Sequence, residues 1–250
     1  MGRLPFHQNW IGNLLDDFII ESPDGTIWKL GEKLSEKATF SPAERTGTGK
    51  AWAEGIAVYS CQQIINGRVV NEAIAKVRFQ VPPEYPTSFN PEVRRKLALR
   101  DPSPWTQHEL VSLRHFNQKG CKVTPKLLYV KRSLQEWEHL PVPGGYVVFI
   151  LMQKVPGVPL VDFWDYDFDK REKIRAAFRN SLTELLRYHA RPIDTHLGNI
   201  IYDEKGNKCW FVDYEHIFVD EEKEPRKFSE NDYFGWGLAY RGCSASANEW

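Results

Sequence analysis

The sequence predicts an α+β fold with two lobes. Residues 1–153 are expected to form an antiparallel β-sheet lobe with one helix that matters for function, preceded by an N-terminal extension, and residues 154–250 a short, mainly helical lobe. Three observations predict this division. The dipeptide Asn66-Gly67 separates two apolar-rich segments, which is typical of a β-hairpin. The stretch KVPGVPL, residues 154–160, interrupts the chain with two prolines and a glycine, and helical spacing of apolar residues follows it.

The first lobe is predicted to carry four strands and two helices. Two strands flank the Asn-Gly dipeptide, because both residues suit the positive φ angles of a type I′ turn. One helix begins after the cap Asn90, and a second runs from Pro104 to its end at Gly120. The second helix places Glu109 on its inward face, where a carboxylate needs a partner. The segments PKLLYVK and GYVVFILMQ are predicted as strands, and the apolar second one is expected to be covered on both faces.

The second lobe is predicted to begin with one long helix. Apolar residues mark one face of a segment from about Asp169 to His189, with charged residues on the other face. Two short strands follow around residues 205–207 and end at Asp213. The aromatic segment NDYFGWGLAYR comes near the end of the chain.

The charge balance argues against several classes of partner. Lys plus Arg number 33 and Asp plus Glu also number 33, so the basic excess of a nucleic-acid-binding or polybasic membrane protein is missing. The sequence contains no window of about 18 apolar residues, so we predict no segment that spans a bilayer. The four cysteines form no C-x-x-C pair, which favours reduced thiols over a zinc or redox motif. We therefore expect a cytoplasmic protein with no nucleic-acid partner and no membrane partner.

The stretch RPIDTHLGNIIYD, residues 191–203, carries the strongest chemical signal. Asp194 and Asn199 lie five positions apart in a loop that ends in a strand, and Asp213 follows after a tight hairpin. Phosphoryl transfer requires this arrangement: one carboxylate accepts the proton of the attacking hydroxyl, while an amide oxygen and a second carboxylate hold Mg²⁺ against the nucleotide phosphates. The pattern predicts Asp194 as the general base and Asn199 and Asp213 as metal ligands.

At these residues the sequence resembles the kinase-like fold, and most closely its aminoglycoside-phosphotransferase and choline-kinase branch. DTHLGN resembles that branch's D-L-H-P-G-N catalytic loop, and FVDYE resembles its I-D-F-E metal-binding segment. MQKVPGVPL is similar to its hinge, M-E-x-x-P-G-x-P-L. The resemblance runs from about residue 40 to about residue 240. It implies a bilobal protein-kinase-like fold with ATP and Mg²⁺ as cofactors.

The resemblance also assigns residues of the first lobe. AIAKVRF is similar to V-A-I-K, which implies that Lys76 contacts the α- and β-phosphates and that Glu109 orients Lys76. Gly47 and Gly49 of TGTGK are assigned to the phosphates, since glycine permits close approach of the backbone. Met152, which opens the hinge motif, is assigned to the nucleotide.

The region after Asp213 departs from a protein kinase. Only 232 − 213 = 19 positions separate Asp213 from Asp232, and no A-P-E segment lies between them, which favours a small-molecule acceptor over a protein. DYFGWG resembles the D-x-W-x-x-G helix start, which implies that Asp232 braces the catalytic loop. After Asp232 only 250 − 232 = 18 residues follow, so we expect a second lobe that is truncated relative to this branch.

These features support one main hypothesis and leave alternatives open. The main hypothesis is an ATP- and Mg²⁺-dependent phosphotransferase that acts on a hydroxyl of a small molecule. Pro192, which stands where the family has a histidine, and the short second lobe favour a non-catalytic pseudokinase-type binding module instead. Two further alternatives are a kinase fold reused for a different transfer reaction and a protein partner that completes the short second lobe.

Overall fold

The protein is organised as two compact units, in a computed structural model that describes residues 7–42, 51–84 and 86–240. The first unit comprises Met1–Thr106 with Leu127–Lys154, and the second comprises Gln107–Lys126 with Val155–Trp250. The boundary after Lys154 falls within the proline-glycine stretch KVPGVPL. Residues 107–126, which we assigned to the first lobe from sequence, pack with the second unit.

The first unit is built on a six-stranded sheet that is antiparallel as predicted, although only four of its strands were predicted from the sequence. Its strands are β1 (Ile19–Glu21), β2 (Ile27–Ser41), β3 (Trp52–Ile65), β4 (Arg68–Gln80), β5 (Leu127–Leu134) and β6 (Tyr146–Gln153). They lie in the order β1-β2-β3-β4-β6-β5, and each neighbouring pair is antiparallel. Every residue of β6 before Gln153 is buried, as its apolar run predicts.

The β3–β4 hairpin turns at the predicted dipeptide. Ile65 pairs with Arg68, and between them Asn66 and Gly67 adopt φ angles of 50° and 72°. Positive φ at both central residues is the geometry of a type I′ turn, which matches the twist of the flanking strands. The short helix α1 (Pro91–Arg95) also begins as predicted, because the side chain of Asn90 accepts a hydrogen bond from the Glu92 amide.

The two faces of β4 have opposite chemistry. Alternate residues from Ala73 to Phe79 enter an apolar core with Phe149 and Leu151 of β6. On the other face the buried polar side chains of Lys76, Arg78 and Gln80 alternate with them. The alternation fixes the register of the sheet, because a slip of one residue would move charged groups into the apolar core.

Glu54 of β3 is the centre of a buried polar network in the first unit. One carboxylate oxygen accepts hydrogen bonds from Arg78 Nε at 2.9 Å and from a terminal guanidinium nitrogen at 2.6 Å. The other accepts from the hydroxyls of Ser103, Thr106 and Tyr146 at 2.6–2.8 Å. Glu54 and Arg78 are fully buried, so this charge is compensated entirely by protein groups.

In its described residues the second unit combines three α-helices with the 3₁₀ helices Leu160–Asp165, Leu197–Asn199 and Tyr214–His216 and with short strands. The α-helices are α2 (Pro104–Gln118), which begins in the first unit, α3 (Phe168–Arg187) and α4 (Asn231–Gly235). The strands are β7 (Val158–Pro159), β8 (Ala190–Pro192), β9 (Ile200–Asp203), β10 (Lys208–Phe211) and β11 (Ile217–Val219), which form the sheets β10-β9-β7 and β11-β8. The predicted long helix and hairpin are both present, but the mainly helical composition expected for this lobe is not confirmed.

Helix α2 ends and α3 begins as the sequence predicts. Gly120, with φ of 75°, follows the end of α2, and Asp167 caps α3 by accepting a hydrogen bond from the Lys170 amide at 2.8 Å. Ile174, Phe178 and other apolar residues of α3 are buried, in keeping with its apolar stripe. Within the described part of the chain, no helix is both long enough and apolar enough to cross a bilayer.

The proline-glycine stretch is part of the second unit's sheet. Val158 pairs with Tyr202, so β7 is an edge strand beside β9. Gly157 adopts φ of 113°, and a Cβ atom added there would lie 2.2 Å from the Tyr202 carbonyl oxygen. Only glycine fits this position, because the left-handed conformation and the close backbone contact both exclude a side chain.

Candidate functional site

The loop that carries Asp194 is held at its start by a strand pair. Pro192 ends β8 and pairs with Ile217 of β11, and the Ile193 amide donates to the His216 carbonyl at 2.9 Å. A proline is tolerated at this position because the strand pair ends here. Its missing N–H therefore does not break a hydrogen-bond ladder that continues further. The β8–β11 pair therefore fixes the chain two residues before Asp194.

Within the loop, Asn199 organises the backbone around Asp194. The Asn199 side-chain nitrogen donates to the Asp194 carbonyl oxygen at 3.1 Å, and the Asn199 amide donates to the His196 carbonyl at 3.1 Å. Asn199 is buried, whereas the Asp194 side chain is 52% exposed. Asp194 is thus open to a solute while its backbone is fixed.

The β9–β10 hairpin brings Asn199 and Asp213 to the same end of a small sheet. Ile200 pairs with Phe211, and one step further out the Val212 amide donates to the Asn199 carbonyl at 3.0 Å. Asp213 comes next and adopts φ of 66° and ψ of 80°. This left-handed conformation is unusual outside glycine, but aspartate and asparagine tolerate it best among other residues.

Three carboxylates converge at this end of the hairpin. Oxygen atoms of Glu109, Asp213 and Glu215 all lie within 4.8 Å of one another, and Glu109 and Glu215 are buried. Mutual repulsion raises the free energy of such a group unless cations or protons compensate it. Because the donors are hard oxygens, the cluster suits Mg²⁺ or Ca²⁺ better than a soft metal.

Contacts of α2 and of Tyr214 hold the carboxylates in place. Ser112, one turn after Glu109, donates from its hydroxyl to the Ile217 carbonyl at 2.5 Å. The Tyr214 hydroxyl donates to the Phe211 carbonyl at 2.6 Å. Burial raises the pKa of Tyr214 well above its usual range, and the Glu109 carboxylate adds to this shift. Tyr214 is therefore a neutral hydrogen-bond donor beneath the cluster.

Glu215 is the site residue that our sequence reasoning missed. Its signal was present, since FVDYE, which resembles a metal-binding segment, ends on this glutamate. Periodicity could not reveal it, because Tyr214–His216 forms a single 3₁₀ turn that is too short for a repeating pattern.

The predicted nucleotide residues Lys76 and Met152 belong to the first unit. Lys76 is buried at the centre of β4, between Val58 of β3 and Ile150 of β6. Met152 lies on β6 opposite Ile74. Glu109 belongs to the second unit, and its action on Lys76 stays a prediction.

The predicted phosphate-binding glycines, Gly47 and Gly49, lie outside the described residues. Gly55, which follows them on β3, has a packing role: a Cβ atom added there would lie 2.3 Å from the ring of Phe79, its partner on β4. The absence of a side chain at Gly55 makes space for this ring in the apolar core.

The predicted bracing residue, Asp232, contacts a different segment. Its carboxylate accepts two hydrogen bonds from Arg226, at 2.7 and 2.9 Å, and one from the Ser229 amide at 2.8 Å. The contact between α4 and the Asp194 loop is instead made by Thr195, whose hydroxyl donates to the Gly235 carbonyl at 2.7 Å. Helix α4 meets the loop as predicted, but through Thr195.

Comparison with known proteins gives a structural likeness and no sequence relative. No family's sequence profile matches the chain, and no curated protein sequence matches it. Among solved structures, the chain is similar to the kinase PK-1 of Cydia pomonella granulovirus, with a TM-score of 0.43 and 15% sequence identity. The match covers 78% of this chain and 53% of the viral kinase, so the chain spans about half the length of that structure.

Proposed function

We propose that the chain is an ATP- and Mg²⁺-dependent phosphotransferase of the kinase-like fold that acts on a hydroxyl of a small molecule. One observation carries this proposal: the β9–β10 hairpin brings Asn199 and Asp213 to one end of its sheet, where Asp213 meets two further carboxylates within 4.8 Å. The nearby Asp194 supplies an exposed carboxylate on a fixed loop. Residues of these types in this order are what phosphoryl transfer uses.

In this proposal Asn199, Asp213 and Glu215 hold the metal. Mg²⁺ takes six oxygen ligands at about 2.0–2.1 Å, so neighbouring ligand oxygens lie roughly 3 Å apart and opposite ones roughly 4 Å apart. Carboxylate oxygens already within 4.8 Å of one another need only small side-chain rotations to reach such spacing. The Asn199 side-chain nitrogen is engaged with the Asp194 carbonyl, which directs its amide oxygen away from that bond. When bound, Mg²⁺ would neutralise charge on the nucleotide phosphates.

Asp194 is the proposed general base. Its carboxylate would accept the proton of the acceptor hydroxyl as that oxygen bonds to the γ-phosphorus and the bond from phosphorus to the ADP oxygen breaks. The backbone contacts at Asn199 and at Ile193 limit the movement of this loop. A fixed base lowers the barrier because its orientation is set before the substrate binds.

The first unit supplies the proposed nucleotide contacts. Lys76 would bind the α- and β-phosphates with its ammonium group, with Glu109 as its orienting carboxylate, and Met152 would contact the base. Gly47 and Gly49 would approach the phosphates through their backbone amides. The burial of Lys76 supports a specific role, since lysine side chains are rarely this buried in folded proteins.

A small-molecule acceptor is supported by the segment after Asp213. It consists of the turn Tyr214–His216, strand β11 and a short run of residues to α4. A protein kinase places a long activation loop here to seat a peptide. We also propose a cytoplasmic location, since Cys61, Cys121 and Cys209 are free and buried, as suits a reducing compartment.

The test is phosphate transfer from ATP to a panel of hydroxyl-bearing metabolites, followed by ³¹P NMR. We expect a phosphate monoester and ADP with the wild type, and a rate reduced about a hundredfold or more in Asp194→Asn. Asp169→Asn, which changes an exposed carboxylate of α3, is the matched control and should keep full activity.

The other outcomes separate the rival functions. Nucleotide binding without turnover on any acceptor would favour a pseudokinase-type module. An acceptor that gains a group other than phosphate would favour a different transfer reaction. Full activity in Asp194→Asn would refute the assignment of the base.

A further inference from the structure

A cavity in the first unit, remote in sequence from the catalytic loop, has the properties of a small-ligand site. It has a volume of about 150 Å³ and lies between the N-terminal segment and strands β5 and β6. Ile11, Leu15 and Phe18 form one wall, while Phe149 of β6 and Trp137 form another. Apolar cavities of about this volume take up molecules the size of benzene.

Three aromatic side chains that line the cavity contact one another and form a continuous aromatic surface. Phe18 stacks on Phe149 with ring centroids 5.4 Å apart and planes 6° apart, and Trp137 meets Phe18 edge-on at 5.8 Å. Trp137 nevertheless remains 42% exposed. A large aromatic side chain that is half-exposed at a cavity favours a ligand that covers it, since burial of that surface would be favourable.

Polar contacts hold the N-terminal wall in place. A carboxylate oxygen of Glu36 accepts from the Trp10 and Ile11 amides at 2.5 and 2.7 Å. Lys33 donates to the other oxygen of Glu36 at 2.7 Å and to the Gly12 carbonyl at 2.8 Å. The wall is therefore set by the protein itself, which lowers the entropy cost of binding a ligand against it.

Lys131 gives the cavity a charge preference. On β5, Lys131 pairs with Phe149 and Ser133 pairs with Val147, so both β5 side chains share the face of the cavity. Lys131 is half-buried, and no carboxylate in the described residues forms an ion pair with it. A partly desolvated ammonium group beside apolar walls attracts an anion more strongly than one in water.

Glu136 limits how much negative charge the ligand can carry. It also lines the cavity, but its side chain is exposed and therefore well hydrated. A second carboxylate or a phosphate on the ligand would meet this charge, so a single anionic group is favoured. The volume also excludes a nucleotide.

We propose that this cavity binds a small monocarboxylate with one aromatic ring, with the ring against Phe18, Trp137 and Phe149 and the carboxylate paired with Lys131. The site does not depend on the proposed phosphotransfer, because it shares no residue with it. The volume limits the size of the ligand, the aromatic side chains favour a ring, and Lys131 favours a negative charge.

The probe is 3-(4-fluorophenyl)propionate, with its binding to the whole chain measured by ¹⁹F NMR. The matching alcohol and amine, which differ only in the charge of the end group, are measured alongside. We expect the carboxylate to bind about tenfold more tightly than the alcohol, and the amine to bind most weakly. Lys131→Met should remove the advantage of the carboxylate over the alcohol.

Two variants locate the site. Arg132→Met removes the neighbouring cation on the opposite face of β5 and should leave binding unchanged within about twofold. Ser133→Phe places a ring in the cavity and should abolish binding of all three probes, with circular dichroism to verify its fold. Equal affinity for the three probes, an unaffected Lys131→Met, or no carboxylate binding up to about 10 mM would each overturn the proposal.

Discussion

The Glu54 carboxylate in the first unit and the three clustered carboxylates in the second unit have different neighbours. Glu54 in the first unit accepts hydrogen bonds from Arg78 and from the hydroxyls of Ser103, Thr106 and Tyr146, so protein groups compensate its charge. In the second unit, oxygens of Glu109, Asp213 and Glu215 lie within 4.8 Å of one another. A buried carboxylate surrounded by donors is costly to disrupt, whereas a group of adjacent carboxylates favours binding of a cation. Burial alone therefore does not identify a functional carboxylate. The side chains that surround it, hydrogen-bond donors or further carboxylates, are the better indicator.

The largest effect is expected at Glu54. Glu54→Gln keeps the size of the side chain but leaves the buried Arg78 guanidinium without its counter-charge, which should lower the free energy of unfolding by about 3–5 kcal/mol. Urea denaturation measures this change. The double variant Glu54→Gln with Arg78→Met removes both charges, keeps a side-chain oxygen that accepts from the hydroxyls, and should recover most of the loss. A loss below about 1 kcal/mol in Glu54→Gln would break the comparison.

A substitution at Asp213 should have a small effect on stability and a large effect on turnover. Asp213→Asn keeps a residue type that tolerates positive φ and removes one of three adjacent negative charges, so the free energy of unfolding should change by less than about 1 kcal/mol. Turnover in the phosphotransfer assay should nevertheless fall about a hundredfold or more. Initial rates and urea denaturation on the same sample test both parts. A stability loss as large as that of Glu54→Gln would mean that Asp213 is structural.

Mg²⁺ should raise the free energy of unfolding by binding to the clustered carboxylates of the second unit. At about ten times its Kd, Mg²⁺ should raise the free energy of unfolding by about 1.4 kcal/mol, because it binds the native state only. Glu215→Gln should reduce this gain, whereas Glu222→Gln, which changes an exposed carboxylate, should not. Thermal unfolding with Mg²⁺ and with a chelator measures the shift. An equal gain in Glu215→Gln and wild type would place the ion elsewhere.

The buried thiols report on each unit separately. Burial raises the pKa of Cys61 and of Cys209 from 9.0 to about 12, and that of Cys121 to about 11. Because the native state holds these protons more tightly, the stability they contribute is complete below about pH 9 and is lost as the pH rises towards 11 and 12.

Pulsed alkylation with mass spectrometry checks this assignment. All three thiols should react slowly in the native protein at pH 8, since the thiolate is the reactive form. Glu54→Gln should accelerate labelling of Cys61 in the first unit, and Mg²⁺ should slow labelling of Cys209 in the second. Fast native labelling of Cys61 at pH 8 would contradict its burial.

The elements that the sequence predicted are those with strong local signals. Asn66-Gly67 and the Asn90 cap each act through their own backbone geometry, so no distant contact is needed to predict them. The apolar stripe of α3 repeats over five turns. The Asp194–Asn199 spacing likewise predicted a loop before a strand, and the structure shows both.

What the sequence did not predict depends on contacts between distant segments. Strands β8 and β11 are three residues each and exist only because they pair with each other. The partner of Asp232 is Arg226, and no spacing rule distinguishes that contact from one with the catalytic loop. The meeting of Glu109 with Asp213 and Glu215 requires α2 to pack on the Tyr214–His216 turn, which is a tertiary effect.

In the hairpin between Asn199 and Asp213, the distance between these two residues does not depend on the number of residues that separate them in the chain. The two residues belong to the open end of the β9–β10 ladder, while residues 204–207 close it at the far end. Residues added to that closing turn would extend into solvent without changing the spacing at the open end. Proteins built on the same plan could therefore vary widely in the number of residues between these positions and still bring the same oxygens together.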